Sequence, residues 1–294
     1  MGLGLKRFMV RKFYEYSEEA AIRYYAIKQF RKKFHRMPVL DPRVPATFND
    51  KICQLKICGT DPNLPLYSDK VLAKDIFGKK IGYDHIIPTI WHGTDLVELA
   101  RLVETMETPY VVKANHGSSM LLFVRDPRQA DREAILSTCA GWLSAVFGRC
   151  AGERLYLHIE PQILVEPYIG ERDVLPVDYK FFVFHGVAHF IHVVTDRASE
   201  AKGTFFDRAW NRQRLSIEMP SEPRAIEKPA AFEQMIDIAE TIGAKFDFVR
   251  VDLYEIDGNP LFGEATFYPD SGLVDFTPHE YDDLFGRLWD GASA

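Results

Sequence analysis

Phe248-Val-Arg-Val-Asp-Leu-Tyr-Glu-Ile-Asp257-Gly258-Asn-Pro-Leu-Phe-Gly-Glu264-Ala-Thr-Phe267 reads as one β-hairpin, and the fold turns on it. Two runs rich in β-branched and aromatic residues flank Asp257-Gly258, a dipeptide that supplies positive φ in a tight turn. With a three-residue loop centred on Gly258, Asp252 and Glu264 sit opposite each other on adjacent strands, where Cβ atoms lie about 4.5–5.5 Å apart. Two carboxylates that close repel unless something positive lies between them, and hard oxygen ligands suit Mg²⁺. A one-residue slip would turn Glu264 to the opposite face. The competing reading of the segment alone is a solvated hairpin with scattered acids.

A chain of 294 residues, 47% apolar, has core enough for one large domain or two small ones. It has no apolar run of about 18 residues, so no transmembrane helix is expected. The N-terminus reaches Lys6-Arg7 too soon for a secretory signal, and Lys6 does not fit the myristoylation pattern. Cys53, Cys58, Cys139 and Cys150 show no C-x-x-C spacing, which fits reduced, mostly structural thiols in the cytoplasm and argues against a zinc site. Residues 1–36 carry a net charge of +7 and the remainder −13. An acidic body argues against nucleic-acid binding.

Phe8, Phe13, Tyr16, Ala20, Tyr24, Ile27, Phe30 and Phe34 recur at three- and four-residue steps, so residues 5–36 read as one or two amphipathic helices. Their basic face is either solvated above the body or binds an anionic membrane surface or a partner protein. Met37–Pro45 is a proline-rich break. A helix is predicted from Phe48 to Leu55 with Asn49 as N-cap, and another over Asp69–Phe77, capped by Ser68 and ending near Gly78. Strands are predicted at Ile86–Trp91, Tyr110–Lys113, Gln162–Glu166 and Tyr179–Val194, the last a hairpin turning at His185-Gly186. Further helices are predicted over residues 128–148, Ala230–Ile242 and Pro278–Trp289, with an irregular stretch before Ala230. This order predicts an α+β or mixed α/β fold, not a doubly wound parallel sheet.

Lys113 ends a strand and runs into Ala114-Asn-His-Gly117-Ser118-Ser119. In such a loop backbone N–H groups cradle phosphate oxygens while the ammonium adds a point charge. It matches neither the Walker signature nor the dinucleotide fingerprint. Lys70 falls in the first turn of its predicted helix. Glu166-Pro-Tyr168-Ile169-Gly170 follows a buried strand like a hinge, where backbone groups could read an adenine edge. Asp178-Tyr-Lys180 opens a hairpin that puts Lys180 on one face with Phe182 and Phe184, as a snorkelling stem or a phosphate partner. Asp196-Arg197 ends that hairpin, and an Arg there suits bidentate capture of a carboxylate or phosphate. Asp270-Ser-Gly272 could line the same cleft. His116 and the histidines of 185–192 have no metal spacing and read as structural or surface. Taken singly, each lysine also fits an ordinary exposed side chain.

In this order the elements resemble those of ATP-grasp proteins, and in particular the TupA-like ATP-grasp family, named after teichuronopeptide biosynthesis. The matching blocks are Thr47–Lys51, Ser68–Lys70, Val111–Gly117, Asp178–Phe182 with Gly186, Asp196-Arg197, Phe248–Leu253, and Gly263–Phe267 with Ser271-Gly272. The resemblance implies an ATP-grasp fold of two α+β subdomains clasping ATP. Residues 1–44 would be the basic arm, 45–109 a region preceding the grasp, 110–168 the subdomain with the phosphate loop, and 169–294 the subdomain with the metal hairpin. Lys70 and Lys113 would contact phosphates, Asn115, His116, Gly117, Ser118 and Ser119 would cover them, and Glu166, Tyr168 and Ile169 would hold adenine. Asp252 and Glu264 would ligate one or two Mg²⁺ ions. Thr266 stands where many ATP-grasp enzymes carry a ligating Asn, and the loop reads Gly-Ser-Ser where a second Gly is common. Lys180, Arg197 and Arg250 are the expected catalytic cations.

The implied reaction is attack of a carboxylate on the γ-phosphate, loss of ADP, and capture of the acyl phosphate by an amine. Family context points to joining an amino acid or amine to a uronic-acid-containing polysaccharide or its precursor. The alternatives are a kinase acting on a sugar hydroxyl and a non-catalytic nucleotide-binding module of a glycan-assembly complex. Expected partners are ATP, a glycan acceptor and an amine donor. Residues 1–36 would add the inner face of an anionic membrane or a glycan-assembly protein.

Overall fold

Apolar residues at helical spacing fold the N-terminal segment into α1 (Leu3–Tyr16) and α2 (Glu18–Phe34). Ser17 caps α2 by accepting from the Ala20 N–H, and Glu18 and Glu19 favour the positive end of its dipole. The computed structural model describes residues 3–41, 43–59, 61–171, 174–197 and 199–292, with side chains from Phe8 onward. Met1, Gly2 and Pro42 of the predicted arm and break therefore lie outside the described residues. The buried face of the arm is Val10, Tyr14, Ala21, Ile22, Ala26 and Phe30, whereas Phe8, Tyr16 and Tyr24 of the predicted stripe stay exposed. Ala26 and Phe30 pack on Cys53 and Ile57 of α3 (Phe48–Cys58), which seats the arm on the body.

Thr47, not Asn49, caps α3, through a capping box with Asp50. Asn49 is buried instead and exchanges two hydrogen bonds with the Val274 backbone. Next come α4 (Leu64–Ser68) and α5 (Leu72–Ile81), so the predicted cap Ser68 ends one helix rather than starting the next. The Asp69 carboxylate accepts from the Val71 and Leu72 N–H groups, and α5 runs through Gly78 to Gly82, where φ is 92°. Lys70 thus sits in the turn between helices.

The smaller sheet contains β1 (Trp91–Gly93), β2 (Tyr110–Ala114), β3 (Leu121–Val124) and β4 (Ile163–Pro167) in the order β1-β4-β2-β3, all antiparallel. Ile86 makes only an isolated bridge to Phe262, so the predicted strand there begins at Trp91. Two helices, α6 (Leu96–Thr105) and α7 (Arg132–Leu143), bury Leu99, Val103, Ile135 and Cys139 against Tyr110, Val112, Ile163 and Val165 of this sheet.

The larger sheet is β5 (Asp178–Phe184), β6 (Val187–Thr195), β7 (Lys202–Asp207), β9 (Phe248–Ile256) and β10 (Asn259–Thr266), ordered β10-β9-β5-β6-β7 and antiparallel throughout. β7 and the short β8 (Ser216–Ile217), which pairs with β11 (Phe276–Thr277), occupy the stretch read as irregular. The helix α8 (Phe232–Gly243) covers the face presenting Phe181 and Val183.

The opposite face is divided. At one end Phe182, Phe184 and Phe248 close around Phe48 of α3 and Phe285 of α9 (Glu280–Trp289). Phe48 is fully buried there, and truncating it to Ala should cost about 3–5 kcal/mol. The other end stays open as a cleft.

The decisive hairpin forms, but with a different turn. Ile256 pairs with Asn259, so Asp257 (φ 52°) and Gly258 (φ 75°) make a two-residue turn. A bulge at Gly263 then shifts the register and brings Glu264 opposite Asp252. A Cβ at Gly263 would stand 3.0 Å from both the Asp252 carbonyl oxygen and the Tyr254 ring, so the bulge favours glycine.

Candidate active site

Register across the larger sheet lines up a row of side chains on the open face: Glu264, Asp252, Lys180, His192 and Phe205. Asp178 and Val194 form the next row on one side, and Thr266, Arg250 and Phe182 the next on the other. Within this wall the charges are paired. Lys180 Nζ lies 2.6 Å from Asp252 and 2.8 Å from Asp178, and Arg197 lies 3.6 Å from Asp178. Arg250 grips Asp252 with two bonds, Nε at 2.7 Å and Nη2 at 2.8 Å, in the forked geometry that suits a guanidinium. The same Nη2 reaches Thr266 Oγ1 at 3.3 Å and Glu264 Oε1 at 3.5 Å.

Burial alone would raise the Glu264 carboxyl, but Lys70, Arg250 and Lys180 outweigh it and hold it at about 2. Burial lifts the Asp252 carboxyl above its ordinary range, against the pull of Arg250 and Lys180. For Lys180 burial is outweighed by Asp178 and Asp252, and its ammonium is held above the ordinary lysine value.

The facing wall belongs to the smaller sheet. Glu166, buried on β4, receives Lys113 at 2.6 Å on one oxygen and Lys74 on the other. Burial would raise this carboxyl, but the two ammonium groups win and lower it. Lys74 also donates to Ile87 O at 2.8 Å, and burial lowers its own pKa. Lys70 bridges the walls, donating to Gly117 O at 2.7 Å while lying 3.6 Å from Glu264.

Between the walls lies a cleft of about 450 Å³, within the usual range for small-molecule sites. Lys70, Lys113, Gly117, Ser118, Ser119, Glu166, Tyr168, Ile169, Lys180, Arg197, Arg250, Asp252 and Glu264 all border it. Asn115 and His116 are not brought to it. Both are buried, and Asn115 holds the loop from behind by donating to Asp69 and Glu160 O and accepting from Gln162 N. His116 bonds the Asn115 side chain. Asp178, His192, Tyr254 and Asp270 also border the cleft, and Lys74 stands directly behind it on Glu166. Lys74 and Tyr254 carry no sequence expectation, and His192, expected to be structural or surface, borders the cleft. For Lys74 a signal existed, since it follows Lys70 by four residues; it looked like any exposed helix lysine.

The acids suit Mg²⁺. Asp252 and Glu264 are oxygen ligands at paired strand positions, with the Thr266 hydroxyl donating to Glu264; Glu264 is 36% exposed, while both Asp252 oxygens are held by Arg250 and Lys180. Among the described residues no group of three or more His, Cys, Asp or Glu forms a protein-only metal cage. Mg²⁺ commonly takes one or two carboxylates and completes its shell with phosphate oxygens and water, so two acids are sufficient.

The family model described as TupA-like ATPgrasp matches residues 50–289. No curated protein matches the chain. Among solved structures, D-alanine–D-alanine ligase from Bacillus anthracis is 17% identical with a TM-score of 0.44, over 77% of this chain and 67% of that one. The ATP-grasp ligase PsnB complexed with minimal precursor is 12% identical with a TM-score of 0.41, over 83% and 67%. N5-carboxyaminoimidazole synthase from Aspergillus clavatus is 13% identical with a TM-score of 0.40, over 69% and 45%.

Proposed function

Because the chain belongs to the TupA-like ATP-grasp family, we propose that its cleft joins an amino acid or amine to a carboxylate of a uronic-acid-containing polysaccharide or precursor. ATP-grasp ligases form C–N bonds with release of ADP, and ATP and Mg²⁺ are the cofactors of the fold. The observation that carries the reading is convergence: Lys70 and Lys113 from one side and Lys180, Arg250, Asp252 and Glu264 from the other border a single cleft.

In this reading Lys70 and Lys113 bind the triphosphate, Gly117, Ser118 and Ser119 cover it against water, and the Glu166–Ile169 backbone holds adenine. Asn115 and His116 support that loop from below. Asp252 and Glu264 would hold Mg²⁺, which would supply positive charge to the phosphates of the nucleotide. Lys180 and Arg250 neutralise the transferring phosphoryl group, and Arg197 anchors the acceptor carboxylate. Residues 110–168 and 169–294 act as two jaws. The arm would dock to an anionic membrane surface or a glycan-assembly protein. Among the described residues no helix is long and apolar enough to cross a membrane.

The test is to incubate the protein with ATP, Mg²⁺, oligouronates and amino acids. ADP release and an amide-linked product are expected, with Asp252→Asn and Glu264→Gln inactive. Variants that turn over like the parent would sink the metal assignment, and a product heavier by one phosphate would make the protein a kinase. Arm docking predicts salt-sensitive binding to anionic vesicles, lost on deleting residues 1–36; binding unchanged at high salt would refute it.

A further inference from the structure

Asp270, Ser271 and Gly272 all have left-handed backbone, with φ of 46°, 61° and 63°. Asp and Ser seldom adopt this conformation unless their surroundings enforce it. Asp270 borders the cleft, and its charge is felt by Arg250 and Glu218, which border it too. What enforces the turn is α3. Asn49, Ile52 and Lys56 recur at three- and four-residue steps, so they share one helical face. Asn49 clamps Val274 through both backbone groups. Ile52 lies so close to Gly272 that a Cβ there would come within 2.6 Å of its side chain. Lys56, only 2% exposed, donates to Ser271 O at 2.6 Å, to Ser271 Oγ, and to Ala151 O at 3.3 Å. The Ser271 hydroxyl is shared with the buried Glu153.

We propose that Lys56 is a positioning residue for the reaction: from behind the cleft wall it fixes the turn that presents Asp270 to the ammonium of the amine donor. This rests on the ligase reading above. Lys56 touches no reacting atom; it acts through Ser271 on the direction of the Asp270 carboxylate. The buried Glu153 carboxylate offsets the charge of Lys56, but two of the lysine's three hydrogen bonds go to Ser271, which ties the ammonium to the strained turn.

Lys56→Met keeps most of the stem and removes the donors. With an oligouronate and an amino acid as substrates, it should raise the KM for the amino acid about tenfold, as Asp270→Asn should, leaving the KM for ATP within about twofold. Cys53→Ala, on the α3 face against the arm, loosens the same helix without touching Ser271 and should leave the amino-acid KM alone. An effect of Lys56→Met on the ATP KM instead, or an equal effect of Cys53→Ala, would reduce Lys56 to a structural lysine. Ser271→Ala, a gentler change, should move the amino-acid KM in the same direction if Lys56→Met fails to fold. Hydrogen exchange decides the positioning without turnover: residues 269–274 should exchange faster in Lys56→Met while 115–119 do not. Unchanged exchange overturns the proposal. A parent that releases no ADP with these substrates counts against the ligase reading, and the exchange result still stands.

Discussion

The two walls of the cleft handle charge differently. On the larger sheet every cation has a carboxylate within reach: Lys180 on Asp178 and Asp252, Arg197 on Asp178, and Arg250 on Asp252. On the smaller sheet Lys74 and Lys113 share the single Glu166, and Lys70, which rests on a backbone carbonyl, finds its nearest carboxylate only across the cleft, in Glu264 at 3.6 Å. One wall is thus nearly neutral and the other carries a surplus of positive charge. An anion with several negative charges gains most from the surplus side. The neutral side needs an additional cation before it can attract phosphate, which is the physical case for a divalent ion at Asp252 and Glu264. The walls should therefore fail in different ways when cut.

The largest effect belongs to the neutral wall. Asp252→Asn leaves Lys180 and Arg250 buried with half their compensation, and should cost about 3–5 kcal/mol in denaturant unfolding. Turnover should fall at least about a hundredfold, since the metal and the phosphoryl-facing cations are disturbed together. Equal stability of parent and variant would show that these pairs do not hold the wall. Next comes Glu166→Gln, which strands the ammonium of Lys74 among buried groups and should cost about 2–3 kcal/mol without altering the Mg²⁺ dependence of nucleotide binding. Lys113→Met should behave oppositely. With Lys74 still on Glu166 the fold is retained, while nucleotide affinity drops about tenfold to a hundredfold in a binding titration. A Lys113→Met protein that binds ATP normally would remove the surplus wall from the account.

The smallest effect concerns pH. Glu264 is held from an ordinary 4.5 down to about 2, so its stabilising contribution is complete above 4.5 and disappears as pH falls through that window. Stability of the parent should therefore decline more steeply between pH 4.5 and 2 than that of Glu264→Gln. A side chain 36% exposed is screened by water, so the difference will be modest. Identical slopes would mean that Lys70, Arg250 and Lys180 do not grip this carboxylate in solution.

How much of this was legible depends on the range of the interactions. Asp257-Gly258 specifies a turn locally, and the hairpin was plain from it. Its register came out as expected only because two differences cancel: the turn is one residue shorter, and the bulge at Gly263 restores the step. The bulge sits where a Cβ would crowd Tyr254 and the Asp252 carbonyl, a cross-strand closeness that no local pattern announces. Thr47 won the cap from Asn49 because Asp50 completes a box with it, while Asn49 is claimed by Val274, 225 residues away. Lys74 has only its four-residue spacing from Lys70 to mark it, and that spacing does not reveal a partner, Glu166, on another element. β7 escaped the sequence reading because Lys202 and Asp207 frame a short run, Gly203–Phe206, that is buried on both faces and so shows no alternation. The cleft residues were legible mainly through their order along the chain, and Asn115 and His116 show the limit of that signal: adjacency to a phosphate loop does not say which side chains face the phosphate.

Calorimetric titration of ATP into parent and Glu264→Gln, with Mg²⁺ and then with EDTA, goes straight to the central claim. Mg²⁺ should tighten binding by the parent at least about tenfold and do little for the variant, whose neutral amide is a poor ligand. Equal tightening in both would mean that the metal enters with the nucleotide alone and that the hairpin acids do not receive it.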